Sequence, residues 1–136
     1  MDTMTPAERS ARMGRIRSTD TEPELAVRRL VHGMGYRYRL HGSDLPGRPD
    51  MVFTTRQKVV FVHGCFWHLH RGCPNCRPPK SKIEYWKPKL EGNAERDKRV
   101  RRQLRLLVWK CLVVWECELD DAGALSRKVA AFLDTL

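Results

Sequence analysis

The sequence predicts a three-layer α/β domain, with helices on both faces of a central sheet, and three observations predict it. Apolar residues recur at helical spacing over 26–34 and again over 125–136. Two β-branched runs, KVVFVH (58–63) and CLVVW (111–115), are apolar on both faces, as buried central strands are. The order helix, three strands, loop, helix, strand, helix, spread over 136 residues, suits one core of stacked layers.

The elements follow in turn. Residues 1–19 carry Arg9, Arg12, Arg15 and Arg17 without an apolar stripe, so they read as a basic arm that orders on a partner, followed by a single domain over 20–136. Thr21-Glu22-Pro23-Glu24 is a helix start: Thr21 caps, Pro23 fits the first turn, and Glu24 suits the return half of a capping box. Ala26, Val27, Leu30, Val31 and Met34 form the inward face, and Gly33 or Gly35 ends the helix. YRYRL (36–40) alternates as a half-buried strand does, HGSDLPGRPD (41–50) is turn chemistry, and MVF (51–53) resumes a strand. KVVFVH follows a short TTRQ turn. After the loop, Ile83 to Leu90 reads as a short helix, and Asn93 caps a longer one through Val108 with Val100, Leu104 and Leu107 inward. CLVVW is the last buried strand, and Asp120 or Asp121 opens a final amphipathic helix carrying Leu125, Val129, Phe132, Leu133 and Leu136.

Charge narrows the partner. The chain is +10 with a pI near 9.8, and residues 77–110 alone hold twelve basic and four acidic groups, whereas 111–136 are net −3. A basic run of that length beside a polar loop points to phosphate backbone more than to a solvated helix face or a membrane surface. No apolar run is long enough to span a bilayer and the N-terminus has no apolar signal core, so a cytoplasmic protein without membrane contact is expected.

The loop VHGCFWHLHRGCPNC (62–76) crowds three histidines, three cysteines and an adjacent Phe-Trp pair. Zinc takes four tetrahedral thiolate or imidazole ligands, and Cys65, His70, Cys73 and Cys76 at C-x4-H-x2-C-x2-C spacing can close locally. Cys117 is a fifth candidate, and Cys111, inside a strand, reads as core. With thiolates plentiful, a closed structural site fits better than a catalytic one. The loop also lacks the H-x-E of zinc deaminases and the H-E-x-x-H of zincins.

Cleaving a phosphate backbone calls for a carboxylate that holds a hard cation such as Mg²⁺. Asp50, after the Gly-Arg-Pro turn, is that candidate, and the next strand ends on His63. Pro49-Asp50 fits the first half of a PD-(D/E)xK nuclease core, but Phe61-Val62-His63 stands where the second acid and lysine belong. Two imidazoles near a metal suit general acid–base chemistry instead.

LPGRPD (45–50), HGCFWH (63–68), the Glu84-to-Trp86 region, EGNAERD (91–97) and VVWEC (113–117) occur in that order. In these blocks the chain resembles the very-short-patch-repair (Vsr) mismatch endonucleases. The resemblance implies a restriction-endonuclease-like fold, a central mixed sheet flanked by helices, with a zinc-stabilised loop. It implies nicking of one DNA strand 5′ to the thymine of a T:G mismatch, with catalytic Mg²⁺ and structural Zn²⁺. By the same resemblance Asp50 binds Mg²⁺, together with the main-chain carbonyl of Val62, where the family commonly has Thr. His68 acts on the water or phosphate, His63 is a second active-site histidine, Asp97 orients an imidazole, and Glu24 is a further active-site acid. Cys65, His70, Cys73 and Cys117 match the zinc ligands. The segment between His70 and Cys73 is one residue longer than the family pattern, which leaves Cys76 as an alternative ligand.

Phe66 and Trp67 gain a purpose in such an enzyme, since apolar wedges unstack bases and a mismatched step opens most cheaply. Met13 in the arm matches another inserting residue of the family. The bland alternative makes Phe66-Trp67 a plug over the sheet and Glu24 a simple cap. The expected partner is double-stranded DNA holding a T:G mismatch, the expected state a monomer associated with the bacterial nucleoid, with mismatch-repair proteins as companions. Two rival readings are a related endonuclease that cuts matched duplex and a zinc-stabilised DNA-binding module without catalysis.

Overall fold

In a computed structural model of the chain, the structure describes residues 21–70, 72–74 and 82–135. The arm with Met13, and Cys76, lie outside the described residues. Among the described residues, four strands form one sheet: β1 (Arg39–Leu40), β2 (Met51–Phe53), β3 (Lys58–His63) and β4 (Lys110–Trp115), in the order β1-β2-β3-β4. The β1–β2 and β2–β3 pairs are antiparallel, and β3–β4 is parallel. A parallel pair needs a crossover, and helix α2 (Ile83–Leu106) supplies it.

Alternation along β3 builds two cores. Val60 and Val62 face α1 (Glu22–Gly33) and α3 (Ala122–Asp134), packing with Val27, Val31, Leu125, Val129 and Leu133. Val59 and Phe61 face the other way, onto Leu104 and Val100 of α2. Helices thus cover both faces of a four-stranded mixed sheet, and the three-layer expectation holds. All six residues of β3 are buried, as its unbroken β-branched run implies. The α1 cap is also as read, with the Glu24 N–H donating to Thr21 Oγ1 at 3.3 Å, and of the two candidate caps for α3 it is Asp121 that accepts, from the Ala124 N–H at 3.0 Å.

Four readings are corrected. Only residues 39–40 of YRYRL pair in the sheet. Tyr36 and Tyr38 do pack inward, but their hydroxyls anchor to Asp134 and to the Arg28 carbonyl, tying the segment to helices and not to a strand. β4 is half-exposed, with Val114 its one buried residue, because it pairs on one side only. The two helices expected over 83–90 and 93–108 are one helix of 24 residues, running through Pro88 and Gly92. Pro88 removes one backbone bond, and inward packing of Leu90, Val100 and Leu104, all on its C-terminal side, carries the helix on past it. Asn93 is therefore mid-helix and caps nothing, and Leu107 is exposed past the helix end.

The LPGRPD turn is held against α2. Gly47 has φ +76°, and a Cβ there would stand 2.4 Å from Val100 Cγ1, so both the conformation and the space require glycine.

Candidate active site

The site grows from the C-terminal ends of β3 and β4. Their parallel register pairs His63 with Trp115. Two residues further on, each strand delivers a cysteine, Cys65 and Cys117, and the shared register sets them side by side. The loop after β3 then turns back: the His68 N–H donates to the Gly64 carbonyl (3.1 Å) and the His70 N–H to the Cys65 carbonyl (2.9 Å). Leu69 takes a left-handed φ of 50° between them.

Cys65, His70, Cys73 and Cys117 each offer a donor atom, all within 4.8 Å of one another. Cys117 Sγ lies 3.5 Å from His70 Nδ1. Tetrahedral zinc with bonds of about 2.0–2.3 Å needs donors separated by roughly 3.3–3.8 Å, so this S₃N set fits such an ion. The His70 ring stacks on Trp115, centroids 4.1 Å apart and 4° from parallel, and Glu116 Oε1 accepts from the Cys65 N–H at 2.9 Å. Burial pushes the Cys65 thiol up to about 12; a bound cation is what would let such a buried thiol exist as thiolate.

A second group gathers on the α2 side. His63 and His68 stack with centroids 3.8 Å apart and planes 6° from parallel. His68 Nδ1 is 2.7 Å from Asp97 Oδ2, and His63 Nδ1 is 3.9 Å from the same oxygen. Burial, with His68 beside it, pushes His63 down to about 3, so it is neutral at ordinary pH. Two rings in this contact cannot both be cationic without strong repulsion.

A third group holds Asp50. Its Oδ2 accepts from the Val62 N–H at 2.6 Å, which fixes the carboxylate against β3 one residue before His63. Glu24, 7% exposed, reaches the same place from α1 and pairs with Arg28 at 3.1 Å. Arg28 also meets His41 Nε2 at 3.1 Å, in the turn leading to Asp50. Burial pushes Asp50 up to about 7 against the Val62 hydrogen bond, and the Glu24 charge adds to the rise. Two buried carboxylates meeting at one place are a donor set that fits a hard divalent cation. Glu24 serves both readings, the cap and, by resemblance, the further active-site acid: its backbone N–H takes the cap while its carboxylate meets Asp50.

Glu24, Val62, Trp67 and His68 line one cleft of about 650 Å³, bounded across from them by Asn93 and Arg96 of α2. Phe66 and Trp67 belong to neither core cluster. They pack on each other (5.0 Å) and on Trp86 of α2 (5.8 and 5.6 Å), a ring whose place in the site no local pattern in the sequence marks. Asn93 Nδ2 donates to the Trp67 carbonyl at 3.0 Å, a contact no local pattern announces.

A model of the family "DNA mismatch endonuclease Vsr" matches residues 1–74. The chain belongs to the Vsr family. It is 50% identical over 133 residues, 98% of this chain and 97% of that protein, to the "Type II nicking enzyme V.XorIIP" of Xanthomonas oryzae pv. oryzae. The "Type II nicking enzyme V.NmeAIP" of Neisseria meningitidis is 41% identical over 128 residues, covering 94% of this chain and 91% of its own. The "DNA mismatch endonuclease Vsr" of Escherichia coli K12 is 41% identical over 120 residues, covering 88% and 76%. The expected family is therefore the observed one, and the chain has a mixed α/β layout. No helix among its described residues is long and apolar enough to cross a membrane.

Proposed function

We propose that this Vsr protein nicks one strand of duplex DNA 5′ to the thymine of a T:G mismatch, by phosphodiester hydrolysis that depends on Mg²⁺. One observation carries the reading: Glu24, which meets Asp50, and His68, which is held by Asp97, line a single cleft together with the Phe66 and Trp67 rings. Mg²⁺, held by Asp50 and the Val62 carbonyl, would supply charge for the phosphorane-like transition state and for the leaving oxygen.

The chain's own residues do the rest. Asp97 accepts from His68 Nδ1, which fixes the tautomer and leaves Nε2 free to take a proton from the attacking water. The water oxygen bonds to phosphorus, the P–O bond to the leaving strand end breaks, and Asp97 stabilises the imidazolium. Neutral His63, stacked under His68, keeps that ring's orientation. Glu24, held by Arg28, lies beside Asp50, where it would act next to a bound ion. Phe66, Trp67 and, with them, Trp86 would enter the weakly stacked mismatch as wedges. Zinc in the Cys65–His70–Cys73–Cys117 site would pin both ends of the segment that carries them. The arm over 1–19, with Met13 inserting and arginines on phosphate, wraps the duplex against the single domain of 20–136. The protein acts as a monomer, in the cytoplasm on nucleoid DNA, in concert with mismatch-repair proteins.

The test is a nicking assay on duplexes that differ in one base pair, with Asp50→Ala as control. T:G duplex is nicked with Mg²⁺ and matched duplex is not, while Asp50→Ala binds DNA and cuts neither. Equal cutting of matched duplex favours the related endonuclease. Binding with no nicking under any divalent metal makes the chain a binding module.

A further inference from the structure

We propose that Arg28 is a positioning residue, a resident counter-cation that holds Glu24 and keeps divalent-ion uptake at Asp50 weak in the DNA-free protein. The role rests on the metal-dependent nuclease reading and deepens it by naming the group that opposes the ion. Arg28 projects from α1 one turn after Glu24, and its Nη2 lies 3.1 Å from Glu24 Oε2. The two side chains are 10% and 9% exposed, so water screens their charges poorly. Burial is the main cause of the raised Asp50 carboxyl, Glu24 adds to it, and the Arg28 charge draws it back. An ion taken up by the two carboxylates therefore meets a positive charge already in place.

A second, independent observation gives the guanidinium a place to stay when Glu24 turns to an ion. The same Nη2 lies 3.1 Å from His41 Nε2. A guanidinium only donates, so His41 accepts, and one nitrogen with two hydrogens serves both partners. His41 takes a left-handed φ of 49°, and its N–H donates to the Asp50 carbonyl at 3.3 Å. The Tyr38 hydroxyl donates to the Arg28 carbonyl at 2.9 Å. Arg28 is thus tied, through side chain and backbone, to the segment that leads into Asp50. A mere strut and a counter-cation differ in sign: removing a strut loosens the carboxylates and weakens ion binding, whereas removing a counter-cation tightens it. Charge outweighs looseness here. Ordering one freed Glu side chain costs about two- to tenfold in affinity, while a nearby guanidinium changes the proton affinity of a carboxylate by about ten- to a thousandfold. A divalent ion feels that charge twice as strongly as the single proton it displaces. With Arg28 present, the ion settles firmly only when a DNA phosphate brings further negative charge.

The test is ion binding without DNA. Full-length protein with its cysteine site filled by zinc is titrated with Mn²⁺ at pH 8, and the free ion is read by its EPR signal. Arg28→Met, which fills the buried space without charge, binds Mn²⁺ about tenfold or more tighter than the parent. Arg28→Lys stays within about threefold of the parent, and Asp50→Asn removes the binding in either background. One measurement needs no Arg28 variant to fold: saturating Mg²⁺ moves the NMR signal of the Arg28 guanidinium in the parent and leaves it in place in Asp50→Asn. Unchanged or weaker Mn²⁺ binding by a folded Arg28→Met, or an Arg28 signal indifferent to Mg²⁺ in the parent, overturns the proposal. In parallel, Arg28→Met nicks T:G duplex with a half-saturating Mg²⁺ concentration about threefold or more below the parent's; a higher requirement also overturns it. If ion binding behaves as described but no divalent metal yields nicking, the counter-cation stands and the enzymatic reading falls.

Discussion

Replacing Asp97 by Asn leaves the shape of the site almost untouched and removes one charge. In the protein Asp97 Oδ2 receives the His68 Nδ1–H at 2.7 Å, a length typical of a hydrogen bond to a charged acceptor. The Asn amide can present either its oxygen or its NH₂ to the ring. The NH₂ face demands that Nδ1 be the acceptor, which moves the proton to Nε2 and disables the base. Even with the oxygen inward, the imidazolium formed during attack loses its counter-charge. Loss of a carboxylate in this relation to a catalytic imidazole costs about 10²–10⁴ in kcat, equivalent to roughly 3–5.5 kcal/mol of barrier. Asp97 is largely buried, but its neighbours on α2 do not depend on it, so folding changes by about 1 kcal/mol or less. Single-turnover nicking of a T:G duplex at saturating Mg²⁺, beside a binding isotherm for the same DNA, isolates the effect. The expected outcome is a fall of at least a hundredfold in rate with Kd within about twofold. A rate within about threefold of the parent means that His68 needs no orienting carboxylate and that the assigned base is wrong.

Trp67→Ala, which strips one ring from the wedge cluster, lowers mismatch nicking by about tenfold or more while zinc content is unchanged; equal activity makes the ring a plug. Removing zinc with a strong chelator unfolds the 64–73 loop, seen as accelerated proteolysis there, and Cys76→Ser retains a full equivalent of zinc by metal analysis, since Cys73 already completes the described cluster. In Mg²⁺-free buffer, Asp50 holds a proton in the fold up to about 7 that the unfolded chain gives up near 3.8, so its contribution to stability is lost as pH rises across that window, at up to ~1.4 kcal/mol per pH unit. His63, pushed down to about 3 from 6.5, does the opposite and makes the fold gain stability over that rise. The two slopes oppose each other, so urea midpoints of Asp50→Asn climb more steeply between pH 4 and 6.5 than those of the parent; parallel curves refute the buried-carboxylate account.

What the sequence made legible was whatever depends on neighbours in the chain. The β3 run announces its own burial, and Thr21 and Asp121 announce caps, because these are local choices. The Asn93–Asp97 spacing correctly put both on one face of a helix, although Asn93 is not its start. Tertiary packing decided the rest. Trp86 before Pro88, packed on the Phe66 and Trp67 rings, and Leu90, Val100 and Leu104 beyond it hold α2 together through a proline that would end an isolated helix. Nothing local says that β4 pairs on one side only, or that Tyr36 and Tyr38 spend their alternation on helices. In the site, Cys65, His70 and Cys73 were legible as a local spacing. Cys117 required the parallel register of β3 and β4. The meeting of Glu24 with Asp50 joins elements 26 positions apart, and only the resemblance to known relatives anticipated it.

The segment from Cys65 to His70 explains why metal ligands and rings share one loop. Cys65 and His70 belong to the cysteine cluster; between them stand Phe66, Trp67 and His68. Helix α2 grips the same stretch twice: Asn93 holds the Trp67 carbonyl at 3.0 Å, and Asp97, one turn on, holds the His68 ring at 2.7 Å. In the proposed roles, the peptide that follows the wedge is thus the one that carries the base. A ring driven into a stacked, matched step must be pushed back, and with its flanks pinned the strain is delivered to the Trp67–His68 junction. A ring that slides into a loosely stacked mismatch leaves that junction at rest, with His68 in line with Asp97. Since about an ångström of misplacement costs on the order of a hundredfold in rate, discrimination between mismatched and matched duplex belongs mainly in kcat. Phosphate contacts made by the basic helix would be the same on either duplex and would leave KM nearly level. Freeing the coupling with Asn93→Ala should narrow the kcat ratio between the two substrates, and a ratio that survives intact would mean that recognition is finished before the loop is engaged.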